Sequence, residues 1–184
     1  MTRCERMAVV GVDFTEMGDD AIHEALVQLA SGALSLARFV FVLDPRELSD
    51  DPEWRGIESE QDILARAPRA LQQRVRDVAQ VRGLPYDSQT VRVHARRGHI
   101  VSTLIEIALE HDADLLILGT HARLGLDRRV LGPVADAIVR HAPCPVLIAR
   151  PKSRVGMEET DPARHTRPIP AVPLVTSATE VYAA

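Results

Sequence analysis

The sequence predicts an α/β fold, a parallel sheet with helices on both faces. Three observations carry that expectation. Short apolar segments alternate with segments of helical period along residues 7–150, in the order β-α-β-α-β-α-β-α-β. The runs "MAVVGV" (Met7 to Val12) and "LLILG" (Leu115 to Gly119) are apolar throughout, as suits strands covered on both faces. One segment, "QTVRVHA", alternates strictly between apolar and polar residues, so one of its faces is wet and it belongs at an edge of the sheet.

The elements follow in order. Met7 to Val12 is the first strand. In the segment after it, Ile22, Ala25, Leu26 and Leu29 fall at i, i+3, i+4 and i+7, one stripe of a helix that Gly32 stops. Arg38 to Asp44, "RFVFVLD", is the second strand, and Asp44 to Glu58 is polar and irregular, a long loop. Ser59 to Arg82 is helical, with Leu71, Val75 and Val78 in its stripe and Gly83 closing it. Pro68 is expected to kink or split this helix, because it offers no N–H to the preceding turn. The alternating strand puts Val91, Val93 and Ala95 on one side and Thr90, Arg92 and His94 on the other. The third helix has Ile100, Leu104, Ile107 and Ala108 as its stripe. Leu115 to Gly119 is the fourth strand. Pro133 to His141 is a short helix with Val134, Ala137 and Ile138 inward, and Cys144 to Ala149 is the last strand, with Pro145 tolerated at its start.

Composition narrows the function classes. The chain has 184 residues and is 46% hydrophobic but only 3% aromatic, so its core is aliphatic. A formal net charge of −4 argues against broad electrostatic binding to nucleic acid or anionic lipid. No apolar run approaches the length of a membrane span, and the N-terminal segment lacks a charged-then-apolar leader, so a cytoplasmic location is expected. Lys152 is the only lysine, which removes the usual Schiff-base or phosphate-loop lysine from consideration. No G-x-S-x-G elbow, metal-ligand spacing or nucleophile–base pair is present, and no catalysis and no metal are expected. Residues 151–184 hold five prolines and no hydrophobic period; they read as a flexible tail beyond a domain of residues 1–150. Within that tail "AVPLV" has the makings of an extended docking segment.

Ligands of such sheets bind past the carboxyl ends of the strands, where strand order reverses. That rule brings together Asp13, Val42 and the segment "GTHARLGLDRRVLGPV", Gly119 to Val134. The segment has glycines at both ends and arginines between, the outline of a phosphate-holding loop entering a helix.

Three segments resemble the universal stress protein family. "VGVDFTE" is similar to its first strand and Asp-containing turn, "GTHARLGLDRRVLGPV" to its Gly-x-x-Gly, nine residues, Gly-Ser/Thr loop, and "RHAPCPVLIAR" to its closing strand. The resemblance covers Met7 to Arg150 and implies a five-stranded parallel sheet of order 3-2-1-4-5, Rossmann-like and akin to the adenine-nucleotide alpha-hydrolases. It also implies a homodimer through the last strand, Val146 to Ala149, and membership of one of two branches, one binding ATP through the glycine loop and one lacking the motif. Gly119 and Gly132 match the outer glycines, but Ala122 replaces the middle glycine and Pro133 replaces the Ser/Thr. Asp13 and Val42 match positions beside the adenine and ribose. Val12, Asp13, Val42, Gly119, His121, Arg123, Gly132 and Val134 are therefore the candidate residues of a vestigial or weak ATP site, with no resident cofactor expected.

The departure at Pro133 has a magnitude. Proline offers neither N–H nor hydroxyl, so a phosphate loses up to two charge-assisted hydrogen bonds, about 1.5–3 kcal/mol each. Losing both weakens affinity by a factor of about 10² to 10⁴. Proline also suits the first position of a helix, with Gly132 as N-cap. Arg123, Arg128 and Arg129 are able to grip a phosphate in place of the lost donors, with Asp127 offsetting part of their field. Two alternatives to a non-enzymatic stress-response protein therefore stay open: an adenine-nucleotide sensor of the same fold, and a scaffold that recruits a partner protein through residues 151–184. Cys4 and Cys144 precede strands one and five; the strand order the resemblance implies puts strand four between them, so they are expected about 10 Å apart, too far for a disulfide, which closes only within roughly 7 Å.

Overall fold

The computed structural model describes residues 6–46, 59–120 and 131–150. Five strands form one parallel sheet: β1 (Met7–Gly11), β2 (Leu36–Leu43), β3 (Val91–Arg97), β4 (Leu115–Gly119) and β5 (Val146–Ala149). The order across the sheet is β3-β2-β1-β4-β5, so the chain builds outward from β1 to β3 and then crosses back to lay β4 on the other side of β1. The helices are α1 (Glu16–Ala30), α2 (Glu60–Arg82), α3 (Ile100–Glu110) and α4 (Pro133–His141).

Side-chain alternation along each strand divides the core into two layers. On one face Ala8, Val10, Phe39 and Ile117 pack against Ile22, Ala25 and Leu26 of α1 and Leu71, Val75 and Val78 of α2. On the other, Val9, Val40, Leu116 and Leu118 pack against Leu104 and Ile107 of α3 and Ile138 of α4. A bidentate ion pair joins the helices of the first face: Arg74 donates to both carboxylate oxygens of Asp19 at 2.6 and 2.7 Å.

Each helix begins and ends for a local reason. Thr15 caps α1 by accepting from the Gly18 N–H at 3.4 Å, and Ser59 caps α2 by accepting from Asp62 at 3.2 Å. Glu60 and Asp62 lie at the positive end of α2. Gly83 ends that helix at φ 65°, a left-handed conformation that costs a glycine little. In α4, Pro133 takes the first position, and Arg140 and His141 occupy the last turn, where positive charge suits the helix dipole.

Three local expectations need correction. Of the kink or split expected at Pro68, the split does not occur: Pro68 lies inside α2, which is one helix of 23 residues. The Leu64 carbonyl loses its donor there, but Ile63, Ala67, Ala70 and Leu71 are buried on either side of the proline, and that packing holds the helix together. In α4 the buried alanine is Ala135, with Ala137 only half-buried. The face of β3 that carries Arg92, His94 and Arg96 is not simply wet: His94 is half-buried, in contact with Arg38 of the neighbouring strand. The edge position of β3 is as the alternation predicts. The long-loop reading of residues 44–58 and the tail at 151–184 lie largely or wholly outside the described residues, as does Cys4. Cys144 is a free thiol whose pKa is raised, first by burial and then by Asp114.

Candidate functional site

The carboxyl ends of β1 and β4 meet where the strand order reverses, and the turn leaving β1 is built tightly there. Val12 donates its N–H to the Val40 carbonyl at 2.9 Å, which ties the turn to β2. Asp13 Oδ1 accepts from the Thr15 N–H at 3.1 Å and from the Thr15 hydroxyl at 2.7 Å. Between them Phe14 has φ 61°, an uncommon conformation for a bulky residue. Its ring is buried and lies 5.1 Å from that of Phe41, an aromatic contact that stabilises the turn against the backbone strain. Gly18 completes the arrangement: a Cβ there would lie 2.8 Å from Asp13 Oδ1.

Gly119 presses on the same structure from β4. A Cβ at this position would stand 2.5 Å from the Met17 carbonyl oxygen, so the glycine is required by the approach of β4 to the first turn of α1. Thr120 follows, buried, with its hydroxyl 3.6 Å from Met17 Sδ. The chain returns at Gly132, which donates its N–H to the Thr120 carbonyl at 2.9 Å. Gly132 caps α4 without any side-chain hydrogen bond, Pro133 supplies no N–H, and Val134 and Ala135 provide the next two backbone donors of the helix start.

At the end of β2, Asp44 is buried and held by Arg46, whose backbone N–H and Nε reach Oδ1 at 3.1 Å each and whose Nη2 reaches Oδ2 at 2.8 Å. Arg46, with smaller help from the nearby His99, lowers the Asp44 pKa to about 2 against the opposing effect of burial. The carboxyl edge thus carries two carboxylates, Asp13 and Asp44, and one helix start with two N–H donors. That set suits hydrogen bonding to a polar ligand with an anionic end. Among the described residues no group of three His, Cys, Asp or Glu side chains able to hold a metal occurs.

The structure therefore joins Val12, Asp13, Gly119 and Gly132 through a continuous set of contacts with Gly18, Met17 and Thr120. Val42 and Val134 lie at the same edge but on the other side of the sheet: both pack into the layer of α3 and α4, whereas the Val12 side chain is buried in the layer of α1 and α2. His121 and Arg123 lie outside the described residues. Phe14, Gly18, Asp44 and Thr120 lie at the same carboxyl edge and were not singled out from sequence. Asp44 had a legible signal, since a carboxylate closes the second strand as Asp13 closes the first.

Comparison with known proteins agrees with this geometry. The model of the universal stress protein family matches residues 6–150. Universal stress protein G of Salmonella typhimurium is 26% identical over 143 residues, 78% of this chain and 87% of that protein. A universal stress protein of Methanocaldococcus jannaschii is 36% identical over 62 residues, a stretch that spans 33% of this chain and only 36% of that protein. Among solved structures, UspA from Lactobacillus plantarum superposes with a TM-score of 0.60 at 20% identity, over 79% of this chain and 98% of that one. A universal stress protein from Archaeoglobus fulgidus, solved in complex with dAMP, superposes with a TM-score of 0.53 at 18% identity, over 79% of this chain and 98% of that one. Among the described residues no helix is long and apolar enough to cross a membrane. With its five-stranded parallel sheet in the order 3-2-1-4-5 and a family match across residues 6–150, the chain belongs to the universal stress protein family.

Proposed function

We propose that this chain is a non-enzymatic, homodimeric member of its family in which the nucleotide site survives in shape and is weakened in chemistry. The observation that carries the reading is the neck of the loop at Gly132 and Pro133. A phosphate at a helix start is gripped by backbone N–H groups. Here the Gly132 N–H is taken up by the Thr120 carbonyl and Pro133 has none, which leaves Val134 and Ala135. Gly119 has a packing role against Met17 that needs no ligand.

A second reading is favoured by the same two remaining donors and by Asp13 and Asp44 at the same edge: an adenine-nucleotide sensor of the same fold, in which arginines of the loop replace the lost donors. The dAMP complex of the Archaeoglobus fulgidus relative supports adenine nucleotides as the class to test. Denaturing the purified protein and analysing the released small molecules separates the readings. The first expects no adenine nucleotide and no saturable heat on titration with micromolar ATP and Mg²⁺. Stoichiometric nucleotide in the preparation, or a micromolar dissociation constant, establishes the sensor instead.

A further inference from the structure

The face of β2 and β3 beside the end of α3 gathers positive charge that the fold does not explain. Arg38 of β2 lies directly opposite Arg92 of β3, a pairing of like charges that disfavours the sheet. His94 and Arg96 follow at alternate positions on the same face. Arg96 is neutralised by Glu110 through two hydrogen bonds, at 2.8 and 2.6 Å. Among the described residues Arg38 has no such partner. Its Nη1 meets His94 Nε2, which can accept only while the imidazole is neutral, and its buried Nε has no hydrogen-bond partner among the described residues. The Arg92 guanidinium donates to the backbone carbonyls of Ser88 and Val91 at 2.8 and 3.0 Å, so its charge is not paired there by a carboxylate. The His111 ring, just past α3, lies 6.3 Å from that of His94.

We propose that this face is a binding site for a small multivalent oxyanion of the phosphate class, held among Arg38, Arg92, His94 and His111, and that it fills as the two imidazoles take up protons. The groups bearing on the histidines are Arg38 from β2, Arg96 from β3 and Glu110 from α3, with each ring close to the other; Arg92 acts on Arg38, and Glu106 on Arg96. Three guanidiniums thus face two carboxylates, one of which is bound to Arg96. Burial, and after it Arg38, holds both imidazoles below their ordinary pKa. An anion beside Arg38 opposes the repulsion, so anion and proton binding reinforce each other. The site is set back from the carboxyl edge: Arg38, and Val40 opposite His94, precede Leu43 at the end of β2 by five and three positions, about 17 and 10 Å along a strand.

The test is titration of the full chain with pyrophosphate at constant ionic strength, at pH 6 and pH 8, followed by the imidazole signals of His94 and His111 in NMR spectra. Saturable shifts of both rings are expected. Affinity at pH 6 should exceed that at pH 8 by severalfold, and by less than tenfold, for each histidine whose pKa the anion raises by one unit, because both free imidazoles titrate below 6.5. Arg38→Gln and the exposed Arg92→Gln should each weaken binding at least tenfold, the second serving if the first disturbs folding. Parallel arms with inorganic phosphate and ATP distinguish a free anion from the phosphate tail of a nucleotide. An identical response to sodium chloride, affinity independent of pH, or full binding in both variants overturns the proposal.

Discussion

The Gly132 N–H donates to the Thr120 carbonyl at 2.9 Å, and this one bond draws the two ends of the 121–131 segment together at the start of α4. It closes the neck of the loop without any ligand. Because Pro133 follows it, the helix presents donors only from Val134 onward. Pro133→Ser returns a backbone N–H and a hydroxyl to the helix start. One regained charge-assisted hydrogen bond, about 1.5–3 kcal/mol, should tighten ATP binding by about tenfold to a hundredfold in isothermal titration. The gain stops short of two full bonds if the serine hydroxyl folds back to cap α4 itself. Unchanged affinity would show that some other feature limits binding.

Gly119→Ala tests whether that glycine serves packing. The new methyl would stand 2.5 Å from the Met17 carbonyl oxygen and 3.0 Å from Met17 Cβ, so α1 or β4 must shift. Overpacking of this kind costs about 1–3 kcal/mol. For a domain of this size each 1 kcal/mol lowers the melting temperature by roughly 2–4 °C. Thermal unfolding followed by circular dichroism reads the loss. A variant as stable as the parent would mean that β4 and α1 do not meet as described.

The difference between what was legible in the sequence and what was not has a physical pattern. β1 and β4 read clearly because both faces are covered and no polar residue interrupts them. β3 read as an edge because Val91, Val93 and Ala95 alternate with polar residues. The charged side of β3 was misread: alternation reports which residues are polar, not that Arg38 from the next strand would half-bury His94. Pro68 misled for a related reason, since a local rule about one missing N–H was outweighed by the packing of Ala67, Ala70 and Leu71. At the site, Asp13, Gly119 and Gly132 were legible from the motif. Met17 was not, because its role is steric closeness to Gly119, far away in the chain, and Gly18 was not, because its closeness to Asp13 depends on how the turn leaving β1 folds back. The reversal of strand order placed the turn correctly but did not show that Val42 and Val12 lie on opposite faces.

Asp44 makes the fold sensitive to acid. Its pKa falls from 3.8 to about 2, chiefly through Arg46. A carboxylate with a depressed folded pKa adds stability above its unfolded pKa, and that stability disappears as pH falls from about 4 to about 2. The Arg46 side chain is 68% exposed, so solvent screening reduces the contribution to about 1 kcal/mol. Asp44→Asn should be less stable than the parent at pH 7 by about that amount and nearly equal to it at pH 2. Urea unfolding at both pH values measures this; a constant difference between the proteins contradicts it.

His94 and His111 give a second dependence in a different window. Both have folded pKa values below 6.5, so near and below that pH the unfolded chain binds more protons than the folded one. Their contribution is fully present at higher pH and is lost as pH falls through the folded values. Stability should therefore decline from pH 7 towards pH 5 in chloride buffer. His94→Gln keeps an oxygen able to accept from Arg38 but cannot take up a proton. Its unfolding midpoint should fall less over this range than that of the parent. An equal or steeper fall would exclude His94 as a source of the dependence.

The free edge of β5 bears on the proposed dimer. Leu116 donates its N–H to the Pro145 carbonyl at 2.9 Å, which fixes the parity of the ladder between β4 and β5. Leu147 then bonds inward to β4, and the N–H of Ile148 points outward, away from the sheet. An outward row of backbone groups flanked by the half-buried Val146, Leu147 and Ile148 is a template for pairing with a second copy. Ile148→Pro removes the outward donor and leaves the ladder to β4 intact, a position where proline is tolerated within a sheet. Sedimentation of the parent should give a dimer at micromolar concentration, and the variant should move towards monomer while its far-ultraviolet dichroism stays unchanged. A folded variant that remains as dimeric as the parent places the interface on another surface.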